Sequence, residues 1–262
     1  MQKKTGVYSW VGYFSDFRQR LEWIRAAGFD GLMLWWEDDT GPSPYSRREM
    51  AAMTKEADLE LFNAHIAGIH ENFIWSEDRA LREKHLFLIR DTIAEIAEVG
   101  IDNLVVHLCE SSDVPPPGKY LFQSVEYLIP FAQEYNVTLS LENTWRSDYL
   151  EAVWREFPVD CLGFCFDSSH ANLRGQFDLL ATYYDRLTAL HLSDNDGLGD
   201  RHWLPFDGEI DFATLVTPSL KKTDVPYTME LISDTSKYPD EKAFLVEAKK
   251  RVDRLLALET VL

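Results

Sequence analysis

Apolar residues in this chain fall into short runs of strand length, separated by longer stretches at helical spacing. The runs at 6–11, 29–36, 59–66, 103–108, 137–141, 162–166, 188–192 and 227–231 read as strands. Helical patterns over 16–27, 47–57, 78–99, 121–135, 148–156, 177–186, 212–222 and 240–258 alternate with them, the first and third stopped by Gly28 and Gly100. Strand–helix alternation with short loops predicts a parallel α/β sheet. In 262 residues, eight such units most simply close into a single-domain (β/α)8 TIM barrel spanning 1–262. A doubly wound open sheet is the alternative, but no glycine-rich dinucleotide fingerprint follows the first run.

Side-chain parity sharpens this reading. Thr138, Ser140 and Glu142 share one face of the fifth run, opposite Leu139 and Leu141; Gly163, Cys165 and Asp167 share one face of the sixth. Ala189 and His191 pair in the seventh run, and Thr228 and Glu230 in the eighth. The bulky faces are expected against the helices and the smaller faces inside the barrel. The ends of runs three to eight then deliver His65, His107, Glu142, Asp167 (with His170 just beyond), His191 and Glu230 to the face where barrels place their chemistry. A polar loop after His191 adds Asp194, Asp196, Asp200 and His202, whereas His70 and His85 read as ordinary loop and helix residues. Singly, each has an ordinary explanation: a histidine hydrogen-bonded at a strand end, or Asp167 as a helix N-cap. Together, three inward carboxylates repel unless they are protonated or neutralised by a cation, and oxygen plus imidazole donors suit a divalent ion.

Composition narrows the partners. Acids outnumber bases 44 to 26, for a net charge of −18, and no run of Lys or Arg marks a polyanion groove. The expected partner is a small molecule, with no nucleic acid and no membrane; a homo-oligomer stays open. Cys109, Cys161 and Cys165 suggest no disulfide framework, and residues 1–14 lack a signal-peptide core, so the expectation is cytoplasmic.

The segments LSLENTW, CFDSSHANL, LHLSDNDG with DRHWLPFDGEIDF, and YTMELI resemble the motif set of the xylose-isomerase-like barrel superfamily. That superfamily includes sugar and sugar-phosphate isomerases and epimerases, inosose isomerases and dehydratases, and zinc-dependent apurinic-site endonucleases. In the isomerase branch, one divalent ion is held by two Glu, one Asp and one His, which match Glu142, Asp167, His191 and Glu230. The resemblance also implies that His170 touches substrate oxygen and that Glu142 and Glu230 double as the catalytic proton-transfer pair. The endonuclease branch uses three zinc ions, with added ligands matching His65, His107, His170, Asp200 and His202. In the second run, Met33 stands where many sugar-acting members carry a glutamate.

The resulting expectation is an enzyme: a metal-dependent isomerase or epimerase of a sugar, glycoside or cyclitol, holding one Mn2+, Zn2+, Co2+ or Mg2+. Chelation of a carbonyl and its neighbouring hydroxyl acidifies the adjacent C–H and stabilises an enediolate. One glutamate would remove the proton and the other return it. His65, His107, His170, Arg201, His202 and Trp145 are the candidate substrate-binding residues. Trp10, Trp35, Trp36 and Trp203 fall near this face with Trp145, about half of the five expected to be mere packing. Residues 115–120 read as either a lid or a plain rigid loop. With Lys119, Arg146, Arg174 and Arg201 as the few bases nearby and no phosphate cradle, an unphosphorylated substrate is favoured. The alternatives are a lyase or dehydratase on a similar substrate, a three-zinc phosphodiester hydrolase, and a non-catalytic carbohydrate-binding barrel.

Overall fold

The computed structural model describes residues 3–68, 72–215 and 218–261; His70 lies outside them. Eight parallel strands run β1 (Thr5–Tyr8), β2 (Gly31–Trp35), β3 (Glu60–His65), β4 (Asn103–Val106), β5 (Thr138–Glu142), β6 (Leu162–Asp167), β7 (Leu187–His191) and β8 (Tyr227–Met229). They are ordered β7-β6-β5-β4-β3-β2-β1-β8. The seam between β7 and β8 is narrow: an isolated parallel bridge pairs Leu192 with Met229, and Leu192 N–H donates to the Thr228 carbonyl at 2.9 Å. The (β/α)8 barrel is thus nearly closed, as the alternation predicts. No described helix is long and apolar enough to cross a membrane.

The helices are α1 (Phe17–Ala27), α2 (Arg47–Glu56), α3 (Arg79–Glu98), α4 (Lys119–Glu134), α5 (Ser147–Glu156), α6 (Ser168–Arg174), α7 (Asp178–Thr182), α8 (Phe212–Leu215), α9 (Pro218–Lys222) and α10 (Glu241–Val261). Local chemistry sets their ends. Asp16 caps α1 by accepting from Arg18 N and Gln19 N, and Gly28 closes it at φ +95°. Ser46 and Glu49 form a reciprocal capping box on α2. The sequence pattern gave the sixth unit one helix, over 177–186. The structure has two with a 3-10 turn (Tyr184–Arg186), because Gly175 at φ +66° ends α6 before α7 begins.

Leucine, isoleucine, valine and phenylalanine from the outward strand faces and the helices form one continuous buried layer. Inside the barrel, Val105, Cys165 and Ala189 make a small apolar plug. Below it, Ser140 Oγ donates to Asn103 Oδ1 at 2.8 Å and lies 2.6 Å from Thr188 Oγ1. The interior is therefore lined by small and polar groups, as parity requires. The carboxylates at the top sit on a packed floor.

Candidate metal and substrate site

The register of the sheet builds the site. Asp167 on β6 is the direct ladder partner of His191 on β7, and Glu142 on β5 stands beside Cys165, two residues below Asp167. Glu230 follows β8 on the other side of the seam. Ligand atoms of Glu142, Asp167, His191 and Glu230, one from each, all lie within 4.8 Å of one another. The first three are fully buried and Glu230 is 7% exposed.

His191 Nδ1 stands between the two glutamates, 3.2 Å from Glu142 Oε2 and 3.0 Å from Glu230 Oε2. Asn143 fixes the end of β6: its Nδ2 donates to the Asp167 carbonyl at 3.0 Å, and Asp167 N–H returns to its Oδ1 at 2.7 Å. Asp167 Oδ1 also accepts from His170 N at 2.6 Å, capping α6. The N-cap and ligand readings of Asp167 are thus compatible, because its second oxygen is free of that duty.

Three more histidines surround Glu142. His107 Nε2 lies 3.0 Å and His65 Nε2 3.4 Å from Oε2, and His170 Nδ1 lies 3.0 Å from Oε1. His170 Nε2 and His202 Nε2 each lie 3.1 Å from Asp200 Oδ2, and Ser169 donates to the other Asp200 oxygen at 2.7 Å. His202 is held at φ +50°, and its Nδ1 is 3.3 Å from the Glu230 carbonyl. All nine residues of the two ligand sets therefore form one connected cluster.

The donor set fits a divalent cation. Glu142 Oε1, Asp167 Oδ2, His170 Nδ1 and both nitrogens of His191 are buried without a hydrogen-bond partner, although several have a charged atom nearby. Burying such groups unpaired is costly, and a central cation would use them. Among the protein's own groups, the imidazoles are the ones the carboxylates draw toward positive charge. Burial would lower His107, but Glu110 and Glu142 outweigh it and raise its pKa to about 10. Burial pushes the Asp167 carboxyl up to about 7, with Glu142 adding to the rise and His170 opposing it. Burial would raise Glu142 too, yet His191 and His107 hold it well below the usual carboxylate range. This is the neutralisation problem that three inward carboxylates pose.

Other sequence-derived candidates are placed differently. Arg201 is half-exposed and paired with Asp196 at 3.3 Å, outside the cluster. Trp145 is 39% exposed at the rim, with the Arg174 guanidinium 3.6 Å above its ring. Asp194 is an organiser of its loop: its carboxylate accepts the backbone N–H groups of Asn195, Phe206, Gly208 and Ile210 at 2.9–3.1 Å. Gly208 is required there, because a Cβ would come within 2.3 Å of the Asn195 carbonyl. Asp196 accepts from Leu198 N and Gly199 N. Trp36 is packing, buried with its Nε1 donating to Glu95 at 2.9 Å. Within 115–120, Tyr149 donates to the Pro115 carbonyl at 2.6 Å, which ties the segment to α5, and α4 starts at Lys119.

Two site residues were missed in the sequence. Glu110 pairs with His107 Nδ1 and orients the ring toward Glu142; its spacing, three residues after a strand-end histidine, was the available signal. Tyr8 at the end of β1 is buried, and its hydroxyl is raised well above its usual range by burial and then by Glu230. Met33 is fully buried, and the carboxylates that follow β2 are Glu37, Asp38 and Asp39.

Comparison with known proteins agrees with this architecture. The uncharacterized protein y4fM of Sinorhizobium fredii is 26% identical over 92% of this chain and 91% of its own length. A solved L-ribulose 3-epimerase superposes with a TM-score of 0.78 at 18% identity, covering 98% of this chain and 96% of that one. A D-allulose 3-epimerase from Methylomonas sp., in complex with D-allulose, gives 0.76 at 15% identity over 97% and 98%. These two likenesses establish the shared fold. The model of the xylose isomerase-like TIM barrel family matches residues 21–249, and the chain belongs to that family.

Proposed function

We propose that this protein is a metal-dependent epimerase or isomerase of a neutral polyhydroxy carbonyl compound. The observation that carries the reading is the approach of Glu142 and Glu230, from β5 and from beyond β8, to the same His191 nitrogen in a buried four-donor set. The ketose 3-epimerases of the same fold lend it support. Glu142, Asp167, His191 and Glu230 would hold the ion. When bound, a divalent cation there supplies positive charge that polarises a carbonyl and its neighbouring hydroxyl.

The chain's own groups do the rest. Carboxylates entering from different strands can address opposite faces of one substrate carbon; one removes its proton and the other delivers a proton to the far face, inverting the centre. His170, pinned by Asp200 at 3.1 Å, offers a positioned ring to a substrate oxygen. The packed floor under Glu142 excludes bulk water from beneath the site. Glu142→Gln and Glu230→Gln should each lower turnover by about 10²–10⁴-fold. Solvent deuterium should enter one carbon-bound position in the wild type and in neither variant. Wild-type exchange retained in both variants rejects the assignment; loss of water from the product, read by mass, selects a lyase instead.

A second reading is a three-zinc phosphodiester hydrolase, favoured by the gathering of His65 and His107 on one side of Glu142 and of His170, Asp200 and His202 on the other. The net charge of −18 opposes a polyanionic substrate. Elemental analysis of protein purified without chelator decides: about one ion per chain is expected, and three zinc ions with nicking of abasic-site DNA would replace the first reading.

A further inference from the structure

Beside the carboxylate cluster, at the ends of β1 and β2, lies a cavity of about 430 Å3, within the range of small-molecule sites. None of the four cluster residues lines it. Tyr8 and Trp35 form the partition. Trp35 stacks on His65 at a centroid distance of 5.0 Å and meets Tyr8 edge-on at 6.3 Å, and both rings also line the cavity. On the outer side stand Trp10 and Phe14, 43% and 78% exposed, large aromatic surfaces that pack into no core.

The walls are preformed. Ser9 Oγ accepts from Trp35 N at 3.0 Å, and Val11 O accepts from Ser233 N at 3.0 Å, so the β1–α1 loop is tied to the end of β2 and to the segment after β8. Gly12 makes the second tie possible: it takes φ +88°, and a Cβ would meet Ser233 N at 3.1 Å.

The charge on the cavity selects against anions. Glu37, Asp38 and Asp39 are on its wall, and Asp39 Oδ2 is buried without a hydrogen-bond partner. Arg20, the cation on the lining among the described residues, is buried in an ion pair with Glu241 and commits three more of its five N–H donors to the carbonyls of Ser9 and Tyr13 and to Ser15 Oγ. A phosphate or carboxylate would meet three carboxylates on the wall and a cation already paired with Glu241. A neutral ring would present C–H faces to aromatic surfaces and hydroxyl donors to the carboxylates.

Building on the sugar-carbonyl reading above, we propose that the substrate is a neutral glycoside whose reacting ring carries a carbonyl, as a ketone on that ring or as its opened reducing end, rather than a free or phosphorylated monosaccharide. The reacting ring occupies the carboxylate cluster and the second ring lies in this cavity, between Trp35 and Trp10.

The test is calorimetric binding to the protein purified with its own metal. The probes are cellobiose, maltose and lactose, whose reducing rings open to a carbonyl, set against glucose, galactose and glucose 6-phosphate. At least one neutral disaccharide should bind tenfold or more tighter than its constituent monosaccharides, and glucose 6-phosphate should bind no better than glucose. Trp10→Ala should shrink the disaccharide-to-monosaccharide ratio at least fivefold, and Trp10→Phe should restore most of it; Trp10 is half-exposed, so neither change threatens the fold. Equal affinity for disaccharides and monosaccharides, or a ratio unmoved by Trp10→Ala, overturns the proposal. Failure of deuterium exchange with the disaccharide preference intact rejects the proposed reaction while supporting the subsite.

Discussion

Asp167 serves α6 with one oxygen and leaves the other buried and unpartnered. The two duties can be separated, because asparagine caps a helix about as well as aspartate but supplies no charge to a cation. Asp167→Asn should therefore fold with unchanged circular dichroism yet lose metal affinity. The loss should exceed the roughly 10–100-fold that changing even an outer partner of a metal ligand costs. Competition with a chromophoric chelator measures it, and unchanged affinity would remove Asp167 from the ligand set. That this residue and its three companions share one face was legible in the sequence, because strand parity has a period of two and one face of four runs could be read directly. Asp194 shows where that stops. It lies three residues past His191 in an acidic loop, and composition cannot distinguish a ligand from a carboxylate that gathers four backbone N–H groups. Glu110 and Tyr8 depend on how loops and neighbouring strands converge, which no local pattern encodes.

At the scale of elements, the β1–α1 loop is held by a buried ion pair. Arg20 of α1 and Glu241 at the start of α10 are 3% and 4% exposed, and the guanidinium also donates to the Ser9 and Tyr13 carbonyls. Removing one partner strands the other charge in a low-dielectric setting. Arg20→Met should cost about 3–5 kcal/mol, whereas Arg20→Met with Glu241→Leu should recover much of that loss. Unfolding midpoints of the two single variants and the double give the coupling; strict additivity would show that the pair is not acting as a unit. In the sequence, Arg20 looked like an ordinary polar position on an amphipathic helix, because its partner is 221 residues away. The strands and most helix limits were readable since periodicity and caps are local signals. The split of the sixth unit into α6 and α7 was not, because a single Gly175 decides it.

For the whole molecule the weak point is the seam, where β7 and β8 share one isolated bridge instead of a full ladder. Side chains reinforce it from outside. Asp207, in the loop after β7, meets Lys237 and accepts from Tyr238 Oη at 3.0 Å in the loop after β8; it also pairs with Arg251 of α10 at 3.0 Å. Burial pushes the Asp207 carboxyl up, but the hydrogen bonds from Lys237 and Tyr238 and the Arg251 charge outweigh it and hold the group below its ordinary value. The sign follows from linkage. A carboxyl depressed in the folded state stabilises it above the unfolded pKa, near 3.9, and loses that contribution as pH falls through the folded value. Asp207→Asn should therefore lower the unfolding midpoint by roughly 2–6 °C near neutral pH, corresponding to about 1–2 kcal/mol for a chain of this size. The gap between variant and wild type should hold steady from pH 8 to about 5 and close below about pH 4. A gap that widens on acidification would mean that Asp207 is not the charged clasp of the seam, and that the barrel is closed there by the bridge and apolar packing alone.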